Sequence, residues 1–280
     1  MNKFDNLIKK TAFIGTSAHS QIIKLTILFF LYFLVHPASA QEGTRTPKNN
    51  AVTPSGKIMV IPFEPKLYMT EIDMKIYQET KWSFAKIREN FRHQLDAELK
   101  LKLQKIAPVV SFYSDSVKMA KDLAYIYQST VLSYELIPVP GIKTVAAAPQ
   151  KGITNGQITV AISDDKRFMS IKPNDTKLLP YLNKKYKSDY FVFVNQLDIV
   201  SQKDSYNIAT DTFQREITVH YTILNTAGKV LSSGISVSHF SSKENNPKKI
   251  ISISFPPIAG YIADKLSAGI AAEHGASEKK

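Results

Sequence analysis

Between residues 57 and 272 the apolar positions follow two different periods, and the order in which these alternate limits the folds open to the chain. Lys57-Ile-Met-Val-Ile-Pro-Phe63 is a short, almost unbroken apolar run ended by a proline that cannot donate to a ladder, so it reads as a buried strand. From about Ile76 to Ile106 the spacing lengthens. Phe84, Ile87, Phe91, Leu95, Leu99 and Ile106 recur at steps of three, four or seven, which puts them on one face of a long amphipathic helix. Arg92/Asp96, Asp96/Lys100 and Glu98/Lys102 fall at i,i+4 and read as ion pairs on its wet side, worth roughly 0.3 kcal/mol each. Pro108 stops this helix, and Val109 to Tyr113 is a second short strand. Ser114 or Ser116 then caps a helix running to about Tyr134, with Met119, Leu123, Tyr127, Val131 and Tyr134 as its stripe.

Residues 138–157 contain three prolines and three glycines and read as a long surface loop. Ile158 to Ser163 is a short strand, and residues 138–172 together form an insertion. Asn174 to Lys187 is a helix capped by Asn174 or Asp175, and Tyr190 to Ile199 is a strand. Phe213 to Leu224 alternates, with Ile217, Val219, Tyr221 and Ile223 inward and Thr218, His220 and Thr222 outward. Asn225-Thr-Ala-Gly228 turns the chain into a partner strand from Val230 to Phe240. Pro256-Pro257 opens a last helix through Ile258, Ile262, Leu266 and Ile270. The order predicts one α/β domain over residues 57–272. Its mixed sheet has a long amphipathic helix after strand 1, and a three-strand antiparallel meander followed by a C-terminal helix. No repeat of 20–50 residues is visible, which argues against a solenoid or propeller.

The segment before this body reads as an address. Lys3, Lys9, Lys10 and Lys24 against Asp5 precede the apolar run Leu25 to Val35, which Ala38 and Ala40 follow at the spacing of a signal-peptide cut after Ala40. The run is shorter than the roughly 20 residues that span a bilayer. Extended by Ile22 and Ile23, however, residues 22–35 also permit an uncleaved anchor. Residues 1–40 carry three of the chain's twelve net positive charges, so the basic balance belongs mostly to the rest. Gln41 to Gly56 is polar enough to be a tether, and Glu273 to Lys280 a polar tail.

The opening strand Lys57 to Phe63 and the long helix after it resemble the α/β domain shared by the amino-terminal part of TolB, the curli secretion lipoprotein CsgG and the penicillin-binding-protein activator LpoB. Ser188-Asp-Tyr-Phe-Val-Phe-Val194 is similar to that group's junction of helix and Asp-Tyr strand. The hairpin Ile217 to Val230 is similar to its strand–turn–strand with a Gly-basic tip. The resemblance implies a periplasmic domain that binds other proteins, and it supplies no catalytic residue. The chain has no cysteine, so the lipid attachment of those lipoproteins does not carry over.

That absence also removes disulfides, thiol nucleophiles and Cys-ligated metals. There is no Gly-x-Ser-x-Gly and no phosphate-binding Gly-x-x-x-x-Gly-Lys. His220 and His239 fall on paired strands about five residues out of register, which does not make a metal site. No cofactor is expected. Trp82 lies off the core stripe beside Lys86 and His93, where a tryptophan is either covered by another segment or offered to a partner. Lys184, Lys185 and Lys187 end a helix, where cations complement the macrodipole, or else present a contact for an anionic membrane surface or peptidoglycan. Lys248-Lys249 is a similar pair in a loop. Nucleic acid is a poor partner for an exported chain without a recognition motif. The reading is an exported, non-catalytic protein-interaction domain, an accessory or assembly factor of the cell envelope. Its partner-binding candidates are Trp82, Lys86, His93, Lys184, Lys185 and Lys187, and its partners envelope proteins. The alternative is an envelope hydrolase or small-ligand-binding protein with its site under residues 138–172.

Overall fold

The computed structural model describes residues 56–113, 116–137, 151–154, 157–160 and 167–277. The leader, nearly all of the tether, most of residues 138–166 and the last three residues of the tail lie outside them. In β1 (Lys57–Ile61) successive side chains point to opposite faces, yet Ile58, Met59, Val60 and Ile61 are all buried. Such a strand must lie inside a sheet covered on both sides. It is paired in parallel with β3 (Val109–Ser111) on one edge and with β8 (Ser188–Asn207) on the other. β8 runs antiparallel to β9 (Thr212–Asn225), and β9 to β10 (Val230–Ser241), giving the order β10-β9-β8-β1-β3. β2 (Tyr68–Thr70) pairs with Leu197–Ile199 farther along β8, so β1 and β2 share one edge of β8 on either side of a detour at Pro62–Leu67. The mixed sheet, the long helix after its first strand, the meander and the final helix are all present.

One face of the sheet packs against α2 (Phe84–Leu103) and α5 (Pro247–Ser277), with Ile87, Phe91, Leu95 and Leu99 meeting Ile58, Val60, Val192 and Ile217. Each such side chain contributes about 1.5–3 kcal/mol when fully buried. The opposite face carries α3 (Ser116–Gln128) and α4 (Leu178–Tyr186), which enclose Met59, Ile61, Phe191 and Phe193. On the same side lies a two-stranded ribbon of β4 (Thr130–Leu136) and β7 (Arg167–Pro173). The meander turn forms as expected. The Asn225 side-chain oxygen accepts from Ala227 and Lys229 N–H, and Gly228 takes φ +76°, which disfavours side chains with a Cβ. Gly269 lets α5 approach β10, since a Cβ there would lie 2.9 Å from Leu231.

Five features differ from the sequence reading. The helix expected over 76–106 is two helices. α1 (Asp73–Thr80) ends at Lys81, which is left-handed at φ 59°, and Ser83 restarts the chain by accepting the Lys86 N–H. The helix expected to reach Tyr134 ends at Gln128. Val131 and Tyr134 continue its spacing but belong to β4, where they pair with Lys172 and Met169, and no glycine or proline marks the boundary in the sequence. Part of the expected insertion is regular: Lys151–Thr154 (β5) and Gln157–Val160 (β6) pair as a hairpin, and Arg167–Pro173 is β7 with Phe168 to Ile171 buried. The last helix starts at Pro247 rather than Pro256, because Asn246 accepts from Lys248 and Lys249 N–H. Lys248 and Lys249 therefore sit in its first turn, and Pro256 and Pro257 lie inside it.

The fifth difference concerns the outward face of β9. Thr218, His220 and Thr222 are buried, because the β4–β7 ribbon covers them. The free edge of β7 is satisfied by side chains of the sheet. Met169 N–H donates to His220 Nδ1 at 2.8 Å, Ile171 N–H to Thr222 Oγ1 at 3.3 Å, and Asn195 Nδ2 to the Met169 carbonyl at 2.8 Å. A bulge between Val194 and Gln196 shifts the parity of β8. Nδ1 accepts from the backbone, so the proton of the neutral ring is on Nε2, which donates to Asp198 Oδ2 at 2.9 Å. His239 stands opposite Glu216, and His220 opposite Ile235. The two rings do not converge.

Candidate functional site

β1 ends at Pro62, which leaves the carbonyls of Pro62 and Phe63 without a ladder partner where the parallel strands finish. Two side chains answer them. Arg92 Nε donates to the Phe63 carbonyl at 2.6 Å, and Tyr127 Oη to the Pro62 carbonyl at 2.6 Å. Arg92 also donates from Nη1 to Tyr113 Oη at 2.6 Å and from Nη2 to Tyr127 Oη at 2.9 Å. One guanidinium thereby ties α2 to the ends of β1 and β3 and to α3. Burial pushes the Tyr127 hydroxyl up to about 12 and raises that of Tyr113 further, so both stay neutral hydrogen-bonding groups at physiological pH.

Beside this knot lies a cleft of about 360 Å³ between α2 and α3. Its α3 wall carries Ala120 and Ala124 one helical turn apart, and these small side chains leave the space that larger ones would fill. Glu89, Arg92 and Tyr113 form its polar part. Clefts outside the carboxyl ends of parallel strands, where successive connections pass to opposite faces of the sheet, are the usual ligand positions in open α/β folds. Here the connection from β1 to β3 carries α2 on one face, and that from β3 to β8 carries α3 and α4 on the other. A neighbouring shallow depression of about 460 Å³ shares Glu89 and Tyr113 and adds Lys86, Asn90 and His93.

Arg92 and Asp96 are not on the wet side of α2, as their i,i+4 spacing suggested: they are 8% and 3% exposed. Each lies next to a residue of the apolar stripe, and the helix buries a wider arc because it packs on the end of β3 as well as on the sheet. Asp96 accepts a short hydrogen bond from Ser111 Oγ. Burial raises its carboxyl to about 6, against smaller opposing effects of Ser111, His93, Lys100 and Arg92. Between the ordinary carboxylate pKa and pH 6 the native state therefore holds the proton that the unfolded chain has released. Stability falls as pH rises through that window, by about 3 kcal/mol in all. Asp96→Asn is expected to flatten the fall and to raise the urea midpoint at pH 7. A variant whose midpoint tracks the parent from pH 4 to pH 7 would contradict this.

Of the partner-binding candidates, Lys86 and His93 line the shallow depression together, and His93 stands edge-on to Tyr113 at 5.2 Å between ring centroids. Trp82 is not on a continuous helix. It occupies the break between α1 and α2, half-buried against the core of the α2/α5 side, with the Lys86 ammonium 4.6 Å from its ring centroid. Lys184, Lys185 and Lys187 line neither depression. Lys185 pairs with Asp122 of α3 at 2.7 Å, alongside hydrogen bonds from Tyr181 and Tyr186 to the same carboxylate. Lys187 is the left-handed cap of α4 at φ 58°, and Lys184 is exposed. The sequence pattern missed Arg92, Tyr113 and Tyr127, which come from three separate segments.

A third feature lies on the other side of α2. Met69 and Phe84 are about half exposed and line a depression of about 530 Å³ with Arg88. Tyr77 leans edge-on against Phe84 at 6.0 Å, and Met74 of the same α1 is also exposed. The signal for this cluster was the pair Tyr77 and Phe84, which a continuous helix would place on one side.

Among the described residues, no group of three His, Asp or Glu side chains could hold a metal ion, and no helix is long and apolar enough to cross a membrane. No family model and no curated protein matches the chain. Among solved structures it is similar to lipoprotein GNA1162 from Neisseria meningitidis, at 12% identity and a TM-score of 0.31, over 70% of this chain and 93% of that one. A protein described as a lipoprotein from Caulobacter crescentus CB15 matches at 10% identity and a TM-score of 0.20, over 36% of this chain and 85% of that one. Both of these structures are described as bacterial lipoproteins, and both are similar to the chain only at low TM-score.

Proposed function

We propose that the chain is an exported accessory protein of the cell envelope whose α/β domain works by docking other proteins and not by catalysis. The observation that carries this reading is the exposed apolar cluster of Met69, Tyr77 and Phe84, with Met74 on the same helix. Large contiguous apolar exposure on a soluble domain marks interaction surfaces, and aromatic residues dominate their binding energy. Glu71, Asp73, Asp198 and Arg88 line the depression beside the cluster, so its polar border is mostly acidic and favours a partner face with basic groups around an apolar centre. Export follows from the lysine-rich start, the apolar run to Val35 and Ala38-x-Ala40. The exposed Lys184 and Lys187 offer a weaker second contact to an anionic surface such as lipid headgroups or peptidoglycan.

The test has two parts. The mature protein recovered from cells is expected to begin at Gln41; a chain that keeps residues 22–35 would replace export and release by anchoring. Tyr77→Ser with Phe84→Ser is expected to lower the thermal midpoint by only a few degrees, because both rings are about half exposed. It is expected to weaken partner capture about thirtyfold, as loss of an interface anchor worth about 2 kcal/mol does. Undiminished capture by the double variant would sink the reading.

A further inference from the structure

The cleft between α2 and α3 has a charge arrangement that a docking surface on the other side of α2 does not explain. Its walls are mostly apolar, built from Phe112, Met119 and Leu123 around the gap left by Ala120 and Ala124. In that lining stands a guanidinium whose side chain is only 9% exposed and whose orientation is set by the Phe63 carbonyl and two tyrosine hydroxyls. These three bonds use one N–H on each of its three nitrogens, and Nη1 and Nη2 each carry a second. Among the described residues that line the cleft the carboxylate is Glu89, whose oxygen is 3.8 Å from Nη1, beyond hydrogen-bond length, and whose side chain is 57% exposed. Asp96 is held by Ser111 and Glu64 by Lys66, and neither lines the cleft.

We propose that this cleft binds a small monocarboxylate with an apolar tail, the carboxylate pairing with Arg92 in place of Glu89 and the tail lying on Ala120 and Ala124. Several features point to that ligand class. A planar guanidinium held in one orientation matches a carboxylate in a paired geometry, which a point charge does not. The resident Glu89 is held at the rim by a hydrogen bond with Tyr113 and by Arg92 at 3.8 Å, and its half-exposed side chain can swing into water when the ligand arrives. A cleft of about 360 Å³ is at the small end of ligand pockets, which run from about 300 to 1,000 Å³, and suits a molecule of roughly ten non-hydrogen atoms. Lys86 in the adjoining depression adds positive potential at the mouth. The proposal does not rest on the docking reading, whose cluster it does not share.

Octanoate, titrated into the purified full chain in a calorimeter, is the probe. It is expected to bind saturably at one site, and 1-octanol at least about tenfold more weakly, since only the acid uses the charge. Glu89→Gln removes the competing resident carboxylate and is expected to tighten octanoate about fivefold without changing octanol. Ala124→Leu fills the gap and is expected to abolish octanoate binding while leaving the far-ultraviolet circular dichroism unchanged. If that variant does not fold, the Glu89→Gln comparison decides alone. Equal affinity for acid and alcohol, octanoate binding that survives Ala124→Leu, or weaker octanoate binding by Glu89→Gln would each overturn the proposal. So would an absence of octanoate binding, or tighter binding of a tripeptide with a free C-terminal leucine, which would make the site one for polypeptide ends.

Discussion

Arg92→Ala is expected to destabilise the domain by about 4 kcal/mol, measured as a fall in the urea midpoint at constant slope. The cost has named parts. Phe63 loses the donor to a carbonyl that no strand partner serves, and the hydroxyls of Tyr113 and Tyr127 lose their shared cation. Leaving a buried carbonyl without its donor costs about 1–3 kcal/mol, and each lost hydrogen bond to a tyrosine hydroxyl about 1 kcal/mol more. Arg92→Lys is expected to recover only part of this loss, since an ammonium cannot reach three acceptors in one plane. If alanine there costs less than about 1 kcal/mol, the knot at the end of β1 does not hold the α2–α3 junction together.

His220→Ala is expected to cost about 3 kcal/mol and to act first on the β4–β7 ribbon. The ring is almost fully buried and accepts the Met169 N–H, so its removal leaves an unsatisfied backbone donor and a void. The ribbon hangs on side-chain bonds of this kind because, among the described residues, no strand pairs with the second edge of β7. Amide exchange at Met169 and Ile171 should therefore accelerate more than exchange in β1 or β8. Equal acceleration throughout would show that the ribbon and the sheet open as one unit.

The two misreadings that matter for function share a cause. Periodicity reports the number of faces that a residue pattern can bury, and it worked where one partner sets the face. The α2 stripe of Phe91, Leu95 and Leu99 and the inward set of Ile217, Val219 and Tyr221 were legible for that reason. His220 and Thr222 looked outward because polar side chains at alternate positions normally meet water. Here they meet the backbone of β7, a strand with too few apolar residues to announce itself. Arg92 and Asp96 looked like a surface ion pair because their spacing suits one. Their burial depends on Pro62, Ser111 and Tyr127, which only the fold brings near. The α1–α2 break carried a local signal in Ser83 before Phe84, a cap that the continuing apolar spacing obscured.

Photo-crosslinking in cells tests the central claim most directly, with the photoreactive residue at position 84 in one strain and at exposed position 264 on α5 in another. Docking through the α1–α2 surface predicts a discrete adduct with an envelope protein from position 84, absent from position 264 and lost when Tyr77→Ser is added. No adduct from position 84, or the same adduct from both positions, would contradict it.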